Sequence, residues 1–257
     1  MRNTLKTYWK TLLFFVAAGL VGGFCSGLYL LDSYTEEIRQ QITESLKDSS
    51  LSPDVTLGII SGMQGAAYGF FLGIIGIILG KKTGLWKDER SITKKPLFLS
   101  LGIAVLGGLV LILSDVLYFG KYSQPIMDSY AVKPSIPYLI SAIIYGGIIE
   151  EVMLRLFMIS AIAFLLHKML GKNTKKPGTA ILVSANMIAA ILFAAGHLPA
   201  TFSLLGSSPM IIFRCFLLNG GLGLMFGYLY RKYGLRYSMI AHGGCHVISK
   251  LIWILFI

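Results

Sequence analysis

The sequence predicts an all-α fold, a polytopic membrane helical bundle of about seven transmembrane helices, or eight if the longest span is broken in two. Three observations carry this. Of 257 residues, 55% are hydrophobic and only 14% charged, where a soluble domain holds about a quarter charged residues. The apolar residues run in long blocks, and about 18 in a row suffice to cross ~30 Å of hydrocarbon as a helix. The charges collect in short segments between those blocks. Length alone would allow one or two soluble domains; the blocks override that and give a single transmembrane domain over 1–257.

The spans fall at about 11–31, 56–80, 97–119, 136–168, 179–197, 209–230 and 237–257. The first follows Arg2, Lys6 and Lys10 in the manner of a signal peptide. Thr11 to Leu31 is too long for an h-region, and Phe24-Cys25 lacks a small-x-small pattern, so a retained span is expected. Ile38, Ile42 and Leu46 then recur every four residues, as in a short amphipathic helix on the outer surface. The fourth span, about 33 residues or ~50 Å as a helix, must be strongly tilted or broken near Gly146-Gly147.

Loop charge gives an orientation. The N-terminus is basic, as are 81–96 (with Lys81, Lys82 and Arg90), 168–176 (with Lys168 and Lys172) and 231–236. The segments 32–55, 120–135 and 198–208 are not. Lys and Arg accumulate on the cytoplasmic side, so the N-terminus is expected inside and the C-terminus outside, in a multi-pass protein of a cell membrane. A net charge of +11 would suit nucleic-acid binding, but charges in short inter-span loops point to the lipid bilayer as partner, with no nucleic acid. Cys25, Cys215 and Cys245 each lie in an apolar block, which argues against a disulfide framework.

Ionisable residues inside spans cost roughly 2.5–3.5 kcal/mol each and call for a reason. The fourth span holds Glu150-Glu151-Val152-Met153-Leu154-Arg155. Glu151 and Arg155, four apart, share a helical face and can pair as a supporting element. Glu150, rotated about 100° away, has no such partner, and a desolvated carboxylate suits a general base. His197 closes a second span, and His242 and His246 sit four apart on a third, with glycines between them that admit a close neighbour. With Glu150 they form a set able to orient water and stabilise an oxyanion. His197, His242, His246 and Glu150 are equally a credible zinc or iron ligand set, with Cys245 as a further ligand. Spacing does not decide between the two. Asp115, Arg214 and Lys250 lie toward the outer ends of their spans and are expected to snorkel to water.

These residues resemble the CAAX-protease and bacteriocin-processing (Abi) family of intramembrane glutamic endopeptidases, which is marked by E-E-x-x-x-R, F-x-x-x-H and H-x-x-x-N in that order. Here the motifs read Glu150 to Arg155, Phe193 to His197, and His242 to His246, within a catalytic core of about 136–250. The resemblance implies that Glu150 and His197 activate water and that His242 and residue 246 stabilise the oxyanion. It implies hydrolysis with no covalent enzyme intermediate, no metal cofactor, and a membrane-associated peptide or protein as substrate. Position 246 is His instead of the usual Asn, and Leu154 and Leu156 replace the family's common Phe and Gly. A bacterial plasma membrane is the expected location.

Two other classes fit the same residues. A non-catalytic immunity or scaffold protein would not need Glu150, His197 or His242. A proton-coupled transporter could use buried Glu and His, but no inverted repeat accompanies them. The span assignment also sets His197 near the outer end of its helix and His242 near the inner end of its own, whereas one site needs both at similar depth.

Overall fold

The computed structural model describes residues 2–88, 92–170 and 174–257. Arg90 and Lys172, counted above among the loop charges, lie outside the described residues. Among those described, the protein is helical and contains no strand. Its helices are α1 (Arg2–Leu28), α2 (Glu36–Ser45), α3 (Pro53–Thr83), α4 (Lys94–Leu117), α5 (Gln124–Ala131), α6 (136–170), α7 (Thr179–Gly196, resuming as Leu198–Leu205), α8 (Pro209–Tyr233) and α9 (Leu235–Phe256). Six helical stretches, those of α1, α3, α4, α7, α8 and α9, are long and apolar enough to cross a membrane. The helix α6 is as long and carries Glu150, Glu151 and Arg155 at its middle.

Helix ends follow local chemistry. Pro53, Pro137 and Pro209 stand in the first turns of their helices, where a missing N–H costs nothing and the fixed φ is already helical. Ser135 and Ser208 accept the backbone N–H of Tyr138 and Ile211 as N-caps. The amphipathic helix expected around Ile38 and Ile42 is α2, which buries no residue. The long fourth span is not broken. It runs through Gly146-Gly147 and winds as a π-helix over Ala142–Ile159, a wider turn that recurs at functional sites.

Two contacts position the site. The helices α1 and α3 meet along small residues, so close that a Cβ on Gly19 would lie 2.2 Å from the Gly65 carbonyl oxygen and one on Gly27 2.3 Å from that of Leu57. Lipid-embedded helices associate through this kind of close backbone packing. The helix α6 lies at the centre, against α1, α3, α7 and α9. Its joint with α9 is made by glycines: a Cβ on Gly147 would stand 2.8 Å from the Gly243 Cα.

Below the site a core of Leu12, Phe15, Ile77, Val152, Leu156 and Tyr230 ties α1, α3, α6 and α8 together. Tyr230 is fully buried and satisfies its hydroxyl on Ser160 at 2.8 Å.

Asp115 and Arg214 do not reach out to water as expected. Arg214 on α8 donates through Nε and Nη2, each at 2.5 Å, to the two carboxylate oxygens of Asp115 on α4, and the Tyr130 hydroxyl donates to the same carboxylate at 2.8 Å. Asp115 is 1% exposed. In hydrocarbon a bidentate partner satisfies a carboxylate without a path to solvent.

Candidate active site

The middle of α6 sets the first three groups. Glu151 is fully buried, and its Oε1 lies 3.1 Å from Nη1 of Arg155 one turn on, as the four-residue spacing predicts. Arg155 is itself 2% exposed. Its guanidinium sits 4.7 Å over the Phe193 ring and 5.4 Å over that of Phe226, and Nη2 donates to the Gly223 carbonyl at 3.3 Å. Phe193 therefore supports the arginine from α7 while its carbonyl serves His197.

His197 ends the first part of α7, just before Pro199, which opens the next turn. Its Nδ1 lies 2.8 Å from the Phe193 carbonyl oxygen, and the two rings meet edge to face at 4.6 Å. A carbonyl can only accept, so Nδ1 carries the proton toward it. In the neutral ring Nε2 is then left as an acceptor.

His242 comes from α9, brought against α6 by the glycine joint. Nδ1 of His242 lies 2.8 Å from Oε1 of Glu151, and Nε2 lies 3.9 Å from Oε2 of Glu150. Phe226 stacks on the imidazole at 4.6 Å with an interplanar angle of 21°. The ring is thus held by a carboxylate at one edge and an aromatic face on its plane. Neutral, it offers Nε2 as an acceptor; protonated, it offers Nε2–H as a donor. His246, one turn on, lies 5.0 Å from His242 between ring centres. A Cβ on Gly146 would come within 2.9 Å of its Nε2, so a larger residue there would force this ring to shift. Nδ1 of His246 is buried with no hydrogen-bond partner.

Glu150, His197, His242 and His246 all line one cavity of about 660 Å³, bounded also by the Tyr29, Tyr138 and Tyr145 side chains. The depth mismatch between His197 and His242 is therefore absent. His242 is the eighth residue of α9, about 10 Å along the helix axis, which brings it level with the end of α7. Glu150 keeps 23% of its side chain exposed, against none for Glu151. One carboxylate faces the cavity and the other is locked behind it.

As metal ligands these groups fit poorly. Among the described residues no three His, Cys, Asp or Glu side chains converge on one point. Cys215 and Cys245 are buried and all three thiols are free of disulfides.

Residues 132–248 match the family model described as type II CAAX prenyl endopeptidase Rce1-like. That stretch is similar to the Rce1-like family. This agrees with the resemblance carried by the three motifs, and the matched stretch contains all three. The match covers just under half of the 257 residues, and α1 to α5 lie outside it except for the end of the loop before α6. No curated protein and no solved structure matches the chain.

Phe226 and the cavity tyrosines were not singled out by sequence. An aromatic residue in an apolar span has the same signature whether it faces lipid or a site. Lys250 is likewise not a simple snorkelling lysine. Its Nζ donates to the Tyr138 hydroxyl at 2.8 Å and lies over the Tyr138 and Trp253 rings at 4.8 and 5.1 Å.

Proposed function

We propose that the protein is an intramembrane endopeptidase in which water, activated by Glu150 and His197, hydrolyses a peptide bond of a membrane-associated peptide or protein. The observation that carries this reading is the convergence of Glu150, His197, His242 and His246 on one cavity inside the helical bundle. The Rce1-like match supports peptide hydrolysis as the reaction class.

The chemistry balances with side chains alone. Glu150 takes a proton from water as the oxygen attacks the carbonyl carbon, aided by Nε2 of His197. The carbonyl oxygen becomes an oxyanion and is met by His242 and His246 as donors. Protonated His242 donates through Nε2 while Glu151 balances its charge at Nδ1. Collapse of the intermediate breaks the C–N bond, and Glu150 returns its proton to the leaving amine. Arg155 and Glu151 position His242 and do not touch substrate. No metal enters these steps. The loop charges favour a cytoplasmic N-terminus and an outer C-terminus; a bacterial plasma membrane is inferred from the family resemblance alone.

The test compares new peptide termini in membranes expressing the wild type or Glu150→Gln at equal levels. Termini present only with wild type support proteolysis and identify substrates. Identical termini, with both proteins folded, overturn the reading in favour of a binding role.

A further inference from the structure

The active-site cavity meets α1 in its last turn, through Ser26. A second cavity, of about 320 Å³, meets the same helix near its start and shares no lining residue with the first. Its walls are α1, the segment 86–88 and the turn from α8 into α9. These walls are braced to one another. The Tyr8 hydroxyl donates to the Asp88 carboxylate at 2.8 Å, and Nζ of Lys87 donates to the Lys232 carbonyl at 2.7 Å. Tyr8 and Phe15 belong to the buried core. A cleft with walls tied in this way is largely pre-formed for a ligand.

The lining changes character along the cleft. Lys10, Lys87 and Arg236 face one carboxylate, Asp88, so the lining residues carry three positive charges against one negative. Among the described residues neither Lys10 nor Lys87 makes an ion pair. Lys87 keeps two N–H groups beyond the one given to Lys232. Phe14, Phe15 and Met239 line the same cleft, and Phe14 lies about 6 Å beyond Lys10 along α1, Met239 about 4.5 Å beyond Arg236 along α9. Both helices start at this end of the cleft and turn apolar away from it. Trp9 and Phe14 are 55% and 50% exposed, and an exposed tryptophan beside a lysine at the start of a span marks the level of the headgroups.

We propose that this cleft binds an anionic glycerophospholipid. Its phosphodiester would take donors from Lys10, Lys87 and Arg236, and the start of an acyl chain would run along Phe14, Phe15 and Met239. Basic pockets between transmembrane helices on the cytoplasmic side take anionic headgroups, and the apolar continuation of this one fits the rest of a lipid. The inference does not rest on the endopeptidase reading. The occupant would bear on the stretch of α9 just before His242: Met239 is three residues earlier, and its carbonyl oxygen would lie 3.7 Å from a Cβ on Gly147.

The test titrates the full-length protein in detergent with phosphatidylglycerol, phosphatidylcholine or glycerophosphoglycerol, which is the first headgroup without acyl chains. Native mass spectrometry reads the affinities. Wild type is expected to bind phosphatidylglycerol about tenfold or more tighter than the other two, and the lipid should raise Tm by mass action. The variant Lys10→Gln, Arg236→Gln should lose affinity for phosphatidylglycerol by about fivefold per cation and keep its weak binding of phosphatidylcholine. Lys168→Gln, Lys175→Gln removes the same charge from a basic segment outside the cleft and should change neither. Should the first variant fail to fold, Lys10→Gln alone, at an exposed side chain, carries the same expectation at about fivefold.

An equal loss in the Lys168, Lys175 variant means attraction to the whole basic surface and overturns the proposal. Glycerophosphoglycerol bound as tightly as the lipid makes the cleft a site for soluble phosphate esters and overturns the lipid assignment. No preference for phosphatidylglycerol over phosphatidylcholine overturns it as well.

Discussion

His242 on α9 and Glu151 on α6 are joined by a 2.8 Å contact between Nδ1 and Oε1, formed where two helices meet through glycine. The contact fixes which imidazole nitrogen faces the cavity. It also gives Glu151 a second cation-capable neighbour besides Arg155, so a carboxylate with no exposed surface is held from two sides. Removing Arg155 from this arrangement and removing the neighbouring carboxylate Glu150 should have consequences that differ in kind.

Arg155→Met leaves Glu151 with His242 alone and takes the cation from between Phe193 and Phe226. A buried charge stripped of its partner costs about 3–5 kcal/mol. The variant should unfold at lower temperature in detergent and lose activity. The double variant Glu151→Gln, Arg155→Met should regain part of the thermal stability and none of the activity, because His242 is then unguided. Thermal unfolding together with a cleavage assay reads both effects.

Glu150→Gln should behave in the opposite way. The side chain keeps its shape and its partial exposure, so the melting temperature should stay near that of wild type. The rate should fall by roughly 10²–10⁴, the usual worth of a general base. A melting temperature lowered as far as in Arg155→Met would show that Glu150 is structural.

Much of this site was legible because charge inside an apolar run is conspicuous. Glu150, Glu151 and Arg155 declared themselves by residue type, and their spacing predicted the Glu151–Arg155 pair. The pairing of Asp115 with Arg214 was not legible. It joins residues 99 positions apart on two helices, and each alone reads as a charge near a span end. Depth was misjudged for a related reason. Loop lysines locate where a helix leaves the membrane, but α9 begins close after α8 and carries His242 about 10 Å inward. The bundle itself followed from apolar block lengths, and the structure moves the span boundaries by a few residues at most ends. The winding of α6 had no sequence signal at all.

His246→Asn tests the departure from the family pattern. Asn keeps a hydrogen-bond donor and is smaller, so it clears the Gly146 backbone. Cleavage should persist within about tenfold of wild type, whereas His246→Ala should lose roughly 10²-fold or more, as expected when an oxyanion donor is removed. Initial rates on one peptide substrate distinguish the two.

Gly146→Ala probes the same ring from the other side. Its methyl group would stand 2.9 Å from Nε2 of His246, so the imidazole must move by a few tenths of an ångström or more. A displacement approaching 1 Å can cost 10²-fold. The variant should fold, keep its binding of peptide, and show a kcat reduced by at least about tenfold in steady-state measurements.

The joint between Gly147 and Gly243 places backbone against backbone, with no side chain between the strut that bears the carboxylates and the strut that bears His242 and His246. Nothing at that seam can be enlarged or trimmed by substitution without prying the struts apart. The distance of Glu150 from His242 and His246 is therefore set at a seam of main chain, while the tyrosine-lined rim above is built from side chains. A lineage could redraw what the chamber admits many times over without once re-tooling the part that cuts.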